Sequence, residues 1–366
     1  MLTSDFNYNL PKELIAQIPS ERRDQSRLMV IDRKTQKVSH RQFFNIVEYL
    51  HSGDLLVWNN SKVFKARLKG ALILDESVFY LKGKELTDRI LNSSMIEIFL
   101  VRPMENPGVW KVLAKPAKKL RLGMKVVFAE DFFAEVITKE EDGTVLVQFQ
   151  DDDAIVRAKA NKYGEVPTPP YIKEVLGKKT GLNLDERYQT VYAKVEGSVA
   201  APTAGFHFTT ELIEQLKNQG IEFAEVTLHV GLGTFLPVKT EKAEEHKMHA
   251  EWVELTDKNV QLINKAKAEG RRVVVVGTTA VRALEGIFAK RGRLEAFNGD
   301  INMFILPGFE FKVVDALITN FHLPQSTLIM LVAAFMGNRE FTLECYRKAV
   351  EAKYRFYSFG DATLIV

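Results

Sequence analysis

Residues 198–208 read Ser-Val-Ala-Ala-Pro-Thr-Ala-Gly-Phe-His-Phe, a run with almost no side-chain bulk before His207. Small residues around Gly205 cannot form a core, but they let a ligand approach main-chain N–H and C=O groups closely. A helix is predicted directly afterwards, because Thr209 can serve as its N-cap and Gly220 as its stop. We therefore predict that His207 lies on a rigid loop just ahead of a helix N-terminus. The alternative is a tight turn with a solvated histidine.

Composition sets the broad class of the protein. With 366 residues, 46% hydrophobic and 27% charged, the chain is expected to be globular with about two domains. A net charge of +3 permits a nucleic-acid partner without indicating one. The single cysteine excludes a disulfide framework and fits a reducing compartment. Residues 328–336 form the longest apolar run, far short of a membrane span, and no signal peptide is evident, so we predict a cytoplasmic protein.

Two predicted strands end in polar side chains. Residues 55–58 form an apolar strand that leads into Asn59. Residues 222–230 alternate between apolar and polar, which places His229 on the polar face at the strand's end. The glycines that follow, Gly231 and Gly233, do not make a dinucleotide-binding turn, because a third glycine and a helix are missing.

Two more strand ends follow the same layout. Residues 272–277 form a valine-rich strand that runs into Thr278 and Thr279, with Arg282 one turn inside the next helix. That helix N-terminus is a potential anion site. Residues 315–319 form a strand that is followed by Asn320 and His322. Because ligands bind at the carboxyl ends of strands in α/β sheets, we predict that these side chains share one pocket.

The segment between about residues 68 and 153 has a different pattern. Its short strand signals have no helix among them, which predicts a small barrel or sandwich inserted into an α/β chain. We therefore expect a main α/β domain made of residues 1–68 and 157–366, and an inserted all-β, barrel-like domain at residues 69–156.

The inserted segment contains the densest basic run of the sequence. Its members before Lys125 are Lys115, Lys118, Lys119 and Arg121. Such a run is more often a solvated face than a binding site, and we keep contact with RNA phosphates as a hypothesis, because it requires only lysine and arginine within reach. His246 and His249 are spaced as metal ligands can be, but a third ligand is not indicated, so we expect no metal site there.

Several motifs together resemble the S-adenosylmethionine:tRNA ribosyltransferase-isomerase family of the queuosine pathway. They are residues 200–208, 227–235, 276–282, 315–324 and 354–361, which follow the family in order along essentially the whole chain. One departure is Ser61-Lys62, where family members usually have Thr-Arg. Lysine keeps the charge but cannot make a bidentate arginine contact.

The resemblance implies a transferase and isomerase with an α/β body and an inserted small β-barrel. It implies that the ribosyl part of S-adenosylmethionine is transferred to 7-aminomethyl-7-deazaguanine at the tRNA wobble position and rearranged. The products would be epoxyqueuosine in tRNA, adenine and methionine. S-adenosylmethionine is then a consumed co-substrate, and no metal or other cofactor is implied. A monomer without membrane association is expected.

This chemistry needs groups that move protons near neutral pH and a cation for the methionine carboxylate. A base must remove the acidified ribose C5′ hydrogen, and an acid assists the departure of adenine. Our catalytic candidates are His207, His229, His322 and Asp361, with His249 in reserve. Arg282 with Thr278 and Thr279 is predicted to bind the carboxylate. The full predicted substrate-binding set is Asn59, Arg67, Thr203, Gly205, Gly231, Gly233, Thr278, Thr279, Arg282 and Asn320.

Two other classes of function remain open from sequence. An RNA methyltransferase would also use S-adenosylmethionine, although the sequence lacks the glycine-rich turn into a helix. A non-catalytic RNA-binding protein would explain the basic run, but it gives no reason for three histidines at strand ends. Release of adenine would distinguish the predicted enzyme from both.

Overall fold

The computed structural model of the chain describes residues 1–73, 83–85, 88, 94–141, 143–167, 172, 184–231, 238, 240–248 and 250–366. The residues group into two compact units. The first comprises Met1–Lys62, Pro170–Val195 and Ala201–Val366, and the second comprises Val63–Pro169 and Glu196–Ala200. The predicted limits of the inserted domain, residues 69 and 156, fall within the second unit and stay a prediction.

Strands account for most of the regular structure in both units. In chain order they are β1 (Arg27–Asp32), β2 (Lys37–Gln42), β3 (Leu55–Asn59), β4 (Ser61–Val63), β5 (Arg67–Ile73), β6 (Met95–Pro103), β7 (Val109–Lys115), β8 (Lys125–Ala129), β9 (Phe132–Lys139), β10 (Val145–Phe149), β11 (Val195–Ser198), β12 (Glu222–Leu228), β13 (Glu251–Leu255), β14 (Val273–Val276), β15 (Phe297–Ile301), β16 (Ala316–Asn320) and β17 (Ala362–Ile365).

The helices are short and mostly amphipathic. The α-helices are α1 (Asp153–Tyr163), α2 (Leu184–Arg187), α3 (Thr210–Asn218), α4 (Asp257–Ala268), α5 (Thr278–Arg291), α6 (Thr327–Met336) and α7 (Arg339–Glu351). The 3₁₀-helices are Thr3–Phe6, Lys12–Leu14, Arg23–Gln25, Phe43–Glu48, Ala117–Lys119, Thr203–His207 and Ala243–Glu245. Every helix among the described residues is too short or too polar to cross a lipid bilayer.

A nine-stranded mixed sheet forms the centre of the first unit. Its strand order is β15-β13-β12-β3-β14-β16-β17-β1-β2. The four central strands β12, β3, β14 and β16 are parallel neighbours. All five residues of β3 and all four of β14 are buried, as expected for strands covered on both faces. The strand predicted at residues 55–58 and the valine strand at 272–277 are therefore confirmed.

The helix caps follow the sequence closely. The Thr209 hydroxyl accepts a hydrogen bond from the Leu212 N–H and begins α3, and Ser326 begins α6 in the same way. The helix that the spacing of Phe43, Val47 and Leu50 predicts is instead the 3₁₀-helix Phe43–Glu48. The two residues of that helix that are buried, Phe43 and Ile46, are three positions apart, a spacing that a 3₁₀-helix places on one face.

The second unit contains a closed antiparallel barrel. Its strand order is β10-β7-β6-β5-β8-β9. Buried residues alternate with less buried ones along β6, β9 and β10, and Trp110, Phe132 and Phe149 are among the largest side chains of the core. Val156 and Ala160 of α1 pack against the same core. The predicted fold class, an α/β body with a small β-barrel, is confirmed. Asp142 and Gly143 predict a hairpin turn between the last two strands of this segment, but Asp142 lies outside the described residues.

Candidate active site at one edge of the sheet

The polar residues predicted at strand ends lie along one edge of the nine-stranded sheet. Because β12, β3, β14 and β16 are parallel and adjacent, His229, Asn59, Thr278 and Asn320 follow or end their strands on the same side. Adjacent strands are about 4.8 Å apart, so this row extends over roughly 15 Å.

The same edge continues past β16 to the N-terminal ends of two further strands. β17 is antiparallel to β16 and pairs Ala362 with Asn320, which brings Asp361 to this edge. β1 is parallel to β17 and pairs Leu28 with Ala362, so that Ser26 also lies there. Residues from distant parts of the sequence thus meet at one side of the sheet.

His207 ends the 3₁₀-helix Thr203–His207 and is almost completely buried. Its Nδ1 lies 2.7 Å from the Ser26 hydroxyl oxygen, and its ring packs against Phe43 with centroids 5.0 Å apart. The other ring nitrogen, Nε2, has no hydrogen-bond partner in the described part of the chain. Ser26 therefore engages Nδ1, whereas Nε2 makes no hydrogen bond of ordinary geometry with a described residue, although the Asn320 side chain is close enough to affect the pKa of the ring.

Burial lowers the pKa of His207 to about 3. The interaction with the Asn320 side chain opposes this effect, and the positive charges of Arg23 and Arg355 add to it. His207 is therefore neutral near pH 7. Its ring has one nitrogen fixed by Ser26 and one available to exchange a proton.

A partly open cavity lies beside His207. Phe206 and Phe359 stack at one side of it, with ring centroids 5.9 Å apart. The residues that line it, all from the first unit, are Pro19, Ser20, Arg23, Ser26, Arg187, Phe206, His207, Ser358, Phe359 and Gly360.

Two half-buried arginines line this cavity. Arg23 donates to the carbonyl oxygens of Phe206 and Glu186, at 3.2 and 3.0 Å. Arg187 donates to the carbonyl oxygens of Ser20 and Glu21. Neither forms an ion pair with any carboxylate that the structure describes. Burial and the charge of Arg187 lower the pKa of Arg23 to about 10, so the Arg23 guanidinium is charged at neutral pH.

Gly205 makes room for a tyrosine. A Cβ atom at this position would lie 1.9 Å from the hydroxyl oxygen of Tyr192. The Tyr192 ring stacks on Trp58, with centroids 4.0 Å apart and planes 6° apart. The absence of a side chain at Gly205 therefore serves the packing of Tyr192. Close approach of a ligand to the main chain there stays a prediction.

A second charged cluster occupies the β12 end of the same edge. The Arg282 Nη1 atom lies 2.7 Å from Oε2 of Glu251, and both side chains are buried. Arg282 also donates to the Met303 carbonyl oxygen, and Glu251 accepts from the Gly231 N–H at 3.2 Å. The charge of Arg282 is thus matched within the protein.

Other predicted site residues follow β12 and β14 in this part of the edge. The His229 ring stacks on Trp252 with centroids 4.9 Å apart. Thr278 begins α5 and is buried. The Thr279 hydroxyl has no hydrogen-bond partner among the described residues. Thr203 lies one residue before Ala204, whose Cβ atom is 3.6 Å from the position a Cβ on Gly277 would take.

Two predicted residues use their polar atoms to hold the sheet edge together. The Asn59 amide exchanges hydrogen bonds with the Leu228 N–H and C=O, and it also accepts from Ser61 N–H. The Asp361 carboxylate accepts from the N–H groups of Arg27 and Arg355, both at 2.8 Å. These contacts favour structural roles for Asn59 and Asp361.

His322 also has an occupied ring nitrogen. Its Nε2 lies 3.1 Å from the Thr319 hydroxyl oxygen, and its carbonyl oxygen accepts from the Tyr8 hydroxyl. Burial lowers the pKa of His322 to about 3. The neighbouring Asn320 donates to the Tyr357 carbonyl oxygen at 2.9 Å.

Comparison with known proteins adds to this geometry. The family model for "Queuosine biosynthesis protein" matches residues 3–365. The chain belongs to this family. It is 51% identical over 367 residues to the S-adenosylmethionine:tRNA ribosyltransferase-isomerase of Thermotoga petrophila and 49% identical over 368 residues to that of Carboxydothermus hydrogenoformans, with 100% of both chains covered in each case. A crystal structure of the S-adenosylmethionine tRNA ribosyltransferase from Thermotoga maritima is 40% identical, with a TM-score of 0.55, and 99% of this chain and 100% of that chain are covered.

Membership of the queuosine biosynthesis family confirms the family identified from the sequence motifs. It also confirms the prediction of an enzyme that is a transferase and an isomerase. Membership does not assign individual residues to catalysis or binding. Those assignments rest on the geometry of the chain.

The remaining predicted site residues of this family member lie in the second unit or outside the described residues. Arg67 forms an ion pair with Glu97 at 2.7 Å. Lys115, Lys118, Lys119 and Arg121 lie around the end of β7 and the 3₁₀-helix Ala117–Lys119, and all four are exposed. Gly233 and His249 lie outside the described residues.

Three residues of the site were not predicted from sequence. Arg23 lies in the charged stretch 21–24, which is typical of a solvated turn. Arg187 lies beside a segment whose pattern gave no sign of a site. Ser26 precedes a strand, where a serine is common. The one signal in the sequence was the proximity of Arg23 and Ser26 to β1, whose N-terminal end reaches the site edge.

Proposed function

We propose that the protein transfers the ribosyl part of S-adenosylmethionine to tRNA and isomerises it, the activity for which its relatives are named. The observation that carries this proposal is the cavity in which a neutral histidine with an open Nε2 meets two arginines without acidic partners among the described residues. Identity of 51% over the full length of a relative so named supports it. We further propose 7-aminomethyl-7-deazaguanine at the wobble position as the acceptor, and epoxyqueuosine in tRNA, adenine and methionine as products.

His207 is our proposed proton-transfer group. Nδ1 of the ring is held by Ser26, which fixes its orientation, and the residue lines the cavity. A neutral imidazole can accept the C5′ hydrogen next to the sulphonium and return a proton later in the reaction. His322 is less suited because its Nε2 already contacts Thr319. His229 remains a second candidate, at the other end of the same edge.

The barrel carries our proposed contact with the tRNA. Lys115, Lys118, Lys119 and Arg121 are exposed, and no described carboxylate lies within ion-pairing distance of them. Such side chains can neutralise RNA phosphates without reading sequence. With tRNA as substrate we place the enzyme in the cytoplasm, acting as a monomer, with S-adenosylmethionine as a consumed co-substrate and without a metal or other cofactor.

One assay tests the proposal. The protein is incubated with S-adenosylmethionine and tRNA that carries the aminomethyl-deazaguanine, and the small products are separated. We expect free adenine and methionine in equal amounts, in proportion to modified tRNA. Release of S-adenosylhomocysteine would instead indicate a methyltransferase, and tRNA binding without any product would indicate a non-catalytic RNA-binding protein.

A further inference from the structure

We propose that Arg23 and Arg187 form a carboxylate-binding subsite that holds the methionine end of S-adenosylmethionine beside His207. This inference rests on the proposed function. It places the methionine carboxylate at these two arginines and not at the N-terminus of α5 beside Thr278. That helix N-terminus remains the alternative location.

The charge balance of the cavity is the first argument. Arg23 and Arg187 both line it, and no described carboxylate neutralises either of them. The Nε of Arg187 is buried without a hydrogen-bond partner in the described part of the chain. Two half-buried guanidinium groups without an acidic partner attract an anion more strongly than fully solvated ones do, so the cavity favours an anionic ligand.

A second and independent observation points to a ligand in the same place. His207 is 3% exposed, lines the cavity, and has no partner at Nε2 among the described residues. An unsatisfied buried nitrogen is costly unless a water or ligand completes it. The arginines and the histidine therefore present unmet contacts to one partly open cavity.

The wall of the cavity favours this ligand over a phosphate. Phe206 and Phe359 line it and stack on each other, and the Arg23 guanidinium lies over the Phe206 ring with Cζ 5.6 Å from its centroid. Aromatic rings attract a cation such as a sulphonium, whereas a phosphate gains nothing from them. The methionine end of S-adenosylmethionine carries a carboxylate and a sulphonium a few bonds apart, which matches a site where guanidinium groups and aromatic rings lie together.

Occupancy of the subsite would change the histidine as well. The positive charges of Arg23 and Arg355 lower the pKa of His207. A carboxylate bound by Arg23 offsets part of that charge, so the pKa of His207 rises and Nε2 becomes a better proton acceptor. Binding of the substrate carboxylate therefore also makes His207 a stronger base.

The test compares S-adenosylmethionine with its decarboxylated analogue, which lacks only the carboxylate. Binding of each is measured by calorimetry to the parent protein, Arg23→Gln, Arg187→Gln and the charge-retaining Arg23→Lys. Unmodified tRNA is present, so that an ordered mechanism does not hide binding and no turnover occurs. Arg347→Gln, which changes an exposed arginine outside the cavity, is the matched control.

We expect the parent and Arg347→Gln to prefer S-adenosylmethionine about tenfold to a hundredfold, the range of a charge-assisted hydrogen bond. Both glutamine variants should lose most of that preference, and Arg23→Lys should keep part of it. Because the preference is a ratio within one protein, a general loss of stability does not imitate the result.

Four results would overturn the subsite. The parent could bind both ligands equally or bind neither, or the glutamine variants could retain the full preference, or they could lose affinity for tRNA alone, which would indicate an RNA phosphate. If the glutamine variants do not fold, the ligand preferences of the parent and of Arg23→Lys still test the subsite. A parent that shows the preference but releases no adenine refutes the proposed function and leaves the subsite intact.

Discussion

Arg282 and Arg23 lie at the same edge of one sheet, but only Arg282 has a carboxylate partner among the described residues. Arg282 is buried and has the Glu251 carboxylate at 2.7 Å. Arg23 is half-buried, and its guanidinium donates to carbonyl oxygens and lies over the Phe206 ring, without a described carboxylate as a partner. The first arrangement is complete without a ligand. The second leaves a positive charge beside a histidine that has one open nitrogen.

This difference suggests different roles for two parts of one sheet edge. The part with Arg282 and Glu251 is structural, and the part with Arg23 and His207 is available for a ligand. Burying a matched ion pair fixes the geometry of β13, α5 and the residues after β12, since removal of either partner leaves an unpaired charge. An unmatched cation gains its partner only when an anionic ligand arrives, so it is available for binding. We therefore expect substitutions at the two places to affect different measurements.

The largest effect is expected at the unmatched end, on the rate of the reaction. His207→Ala should reduce adenine release by about a hundredfold to ten-thousandfold, because loss of a general acid or base has that cost. His229→Ala and His322→Ala should have smaller effects. Initial rates at saturating S-adenosylmethionine and modified tRNA measure this, with thermal unfolding of each variant recorded alongside.

His51→Ala is the matched control for that experiment, because His51 is an exposed histidine outside the cavity. If folded His207→Ala protein keeps a rate within about threefold of the parent, His207 does not transfer the proton. A large loss in His229→Ala instead would move the reactive region to the Glu251 end and reverse the comparison.

The second effect is expected at the matched end, on stability. Glu251→Ala leaves Arg282 buried without an acid and should lower the free energy of unfolding by about 3–5 kcal/mol. Glu254→Ala, on the opposite face of β13, should cost much less. Urea unfolding measures both. Equal losses in the two variants would mean that the ion pair does not stabilise this end of the sheet.

The strand ends of the site could be predicted because their signals are local. Apolar runs such as residues 273–276 identify buried strands, and polar residues that follow them reach the edge by topology alone. The caps at Thr209 and Ser326 are local signals as well. These features follow from residues within one or two turns of each other.

The cavity could not be predicted in this way because it depends on contacts between distant residues. Arg23 reaches the Phe206 carbonyl oxygen across 183 positions of sequence, and Ser26 reaches His207 across 181. Nothing near Arg23 in sequence indicates that it is half-buried without an acid. Similarly, the partner of Arg282 is Glu251, which lies far back in the sequence on a strand with no motif of its own.

The third prediction extends the comparison to the barrel. Arg67 there has the Glu97 carboxylate as a partner, whereas Lys118, Lys119 and Arg121 have no described acid within ion-pairing distance. Reversing these last three to glutamate should weaken tRNA binding and reduce the salt slope by about one for each phosphate that is no longer neutralised. Affinity measured across a salt series gives both values. Unchanged affinity at low salt would restore the interpretation of this run as a solvated face.

The smallest effect concerns the pH dependence of stability. Here we compare His207 with His322, because both are buried histidines with a lowered pKa. Burial alone lowers the pKa of His322 to about 3, whereas burial and nearby arginine charges lower that of His207 to about 3. Both values lie below 6.5, the ordinary value. The unfolded state therefore binds protons first as pH falls. The stabilising contribution of each neutral histidine is complete above pH 6.5 and is lost progressively toward pH 3.

Between about pH 6.5 and 5, each histidine should account for a loss of about 1.5 kcal/mol in the free energy of unfolding. Most carboxyl groups remain ionised in this range, so the histidines dominate the slope. Urea unfolding at about pH 6.5, 5.8 and 5.0 should show a shallower slope for His207→Gln and for His322→Gln than for the parent, and no change for His51→Gln. If neither substitution changes the slope, burial does not hold these two rings neutral, and the pH dependence of stability comes from other groups.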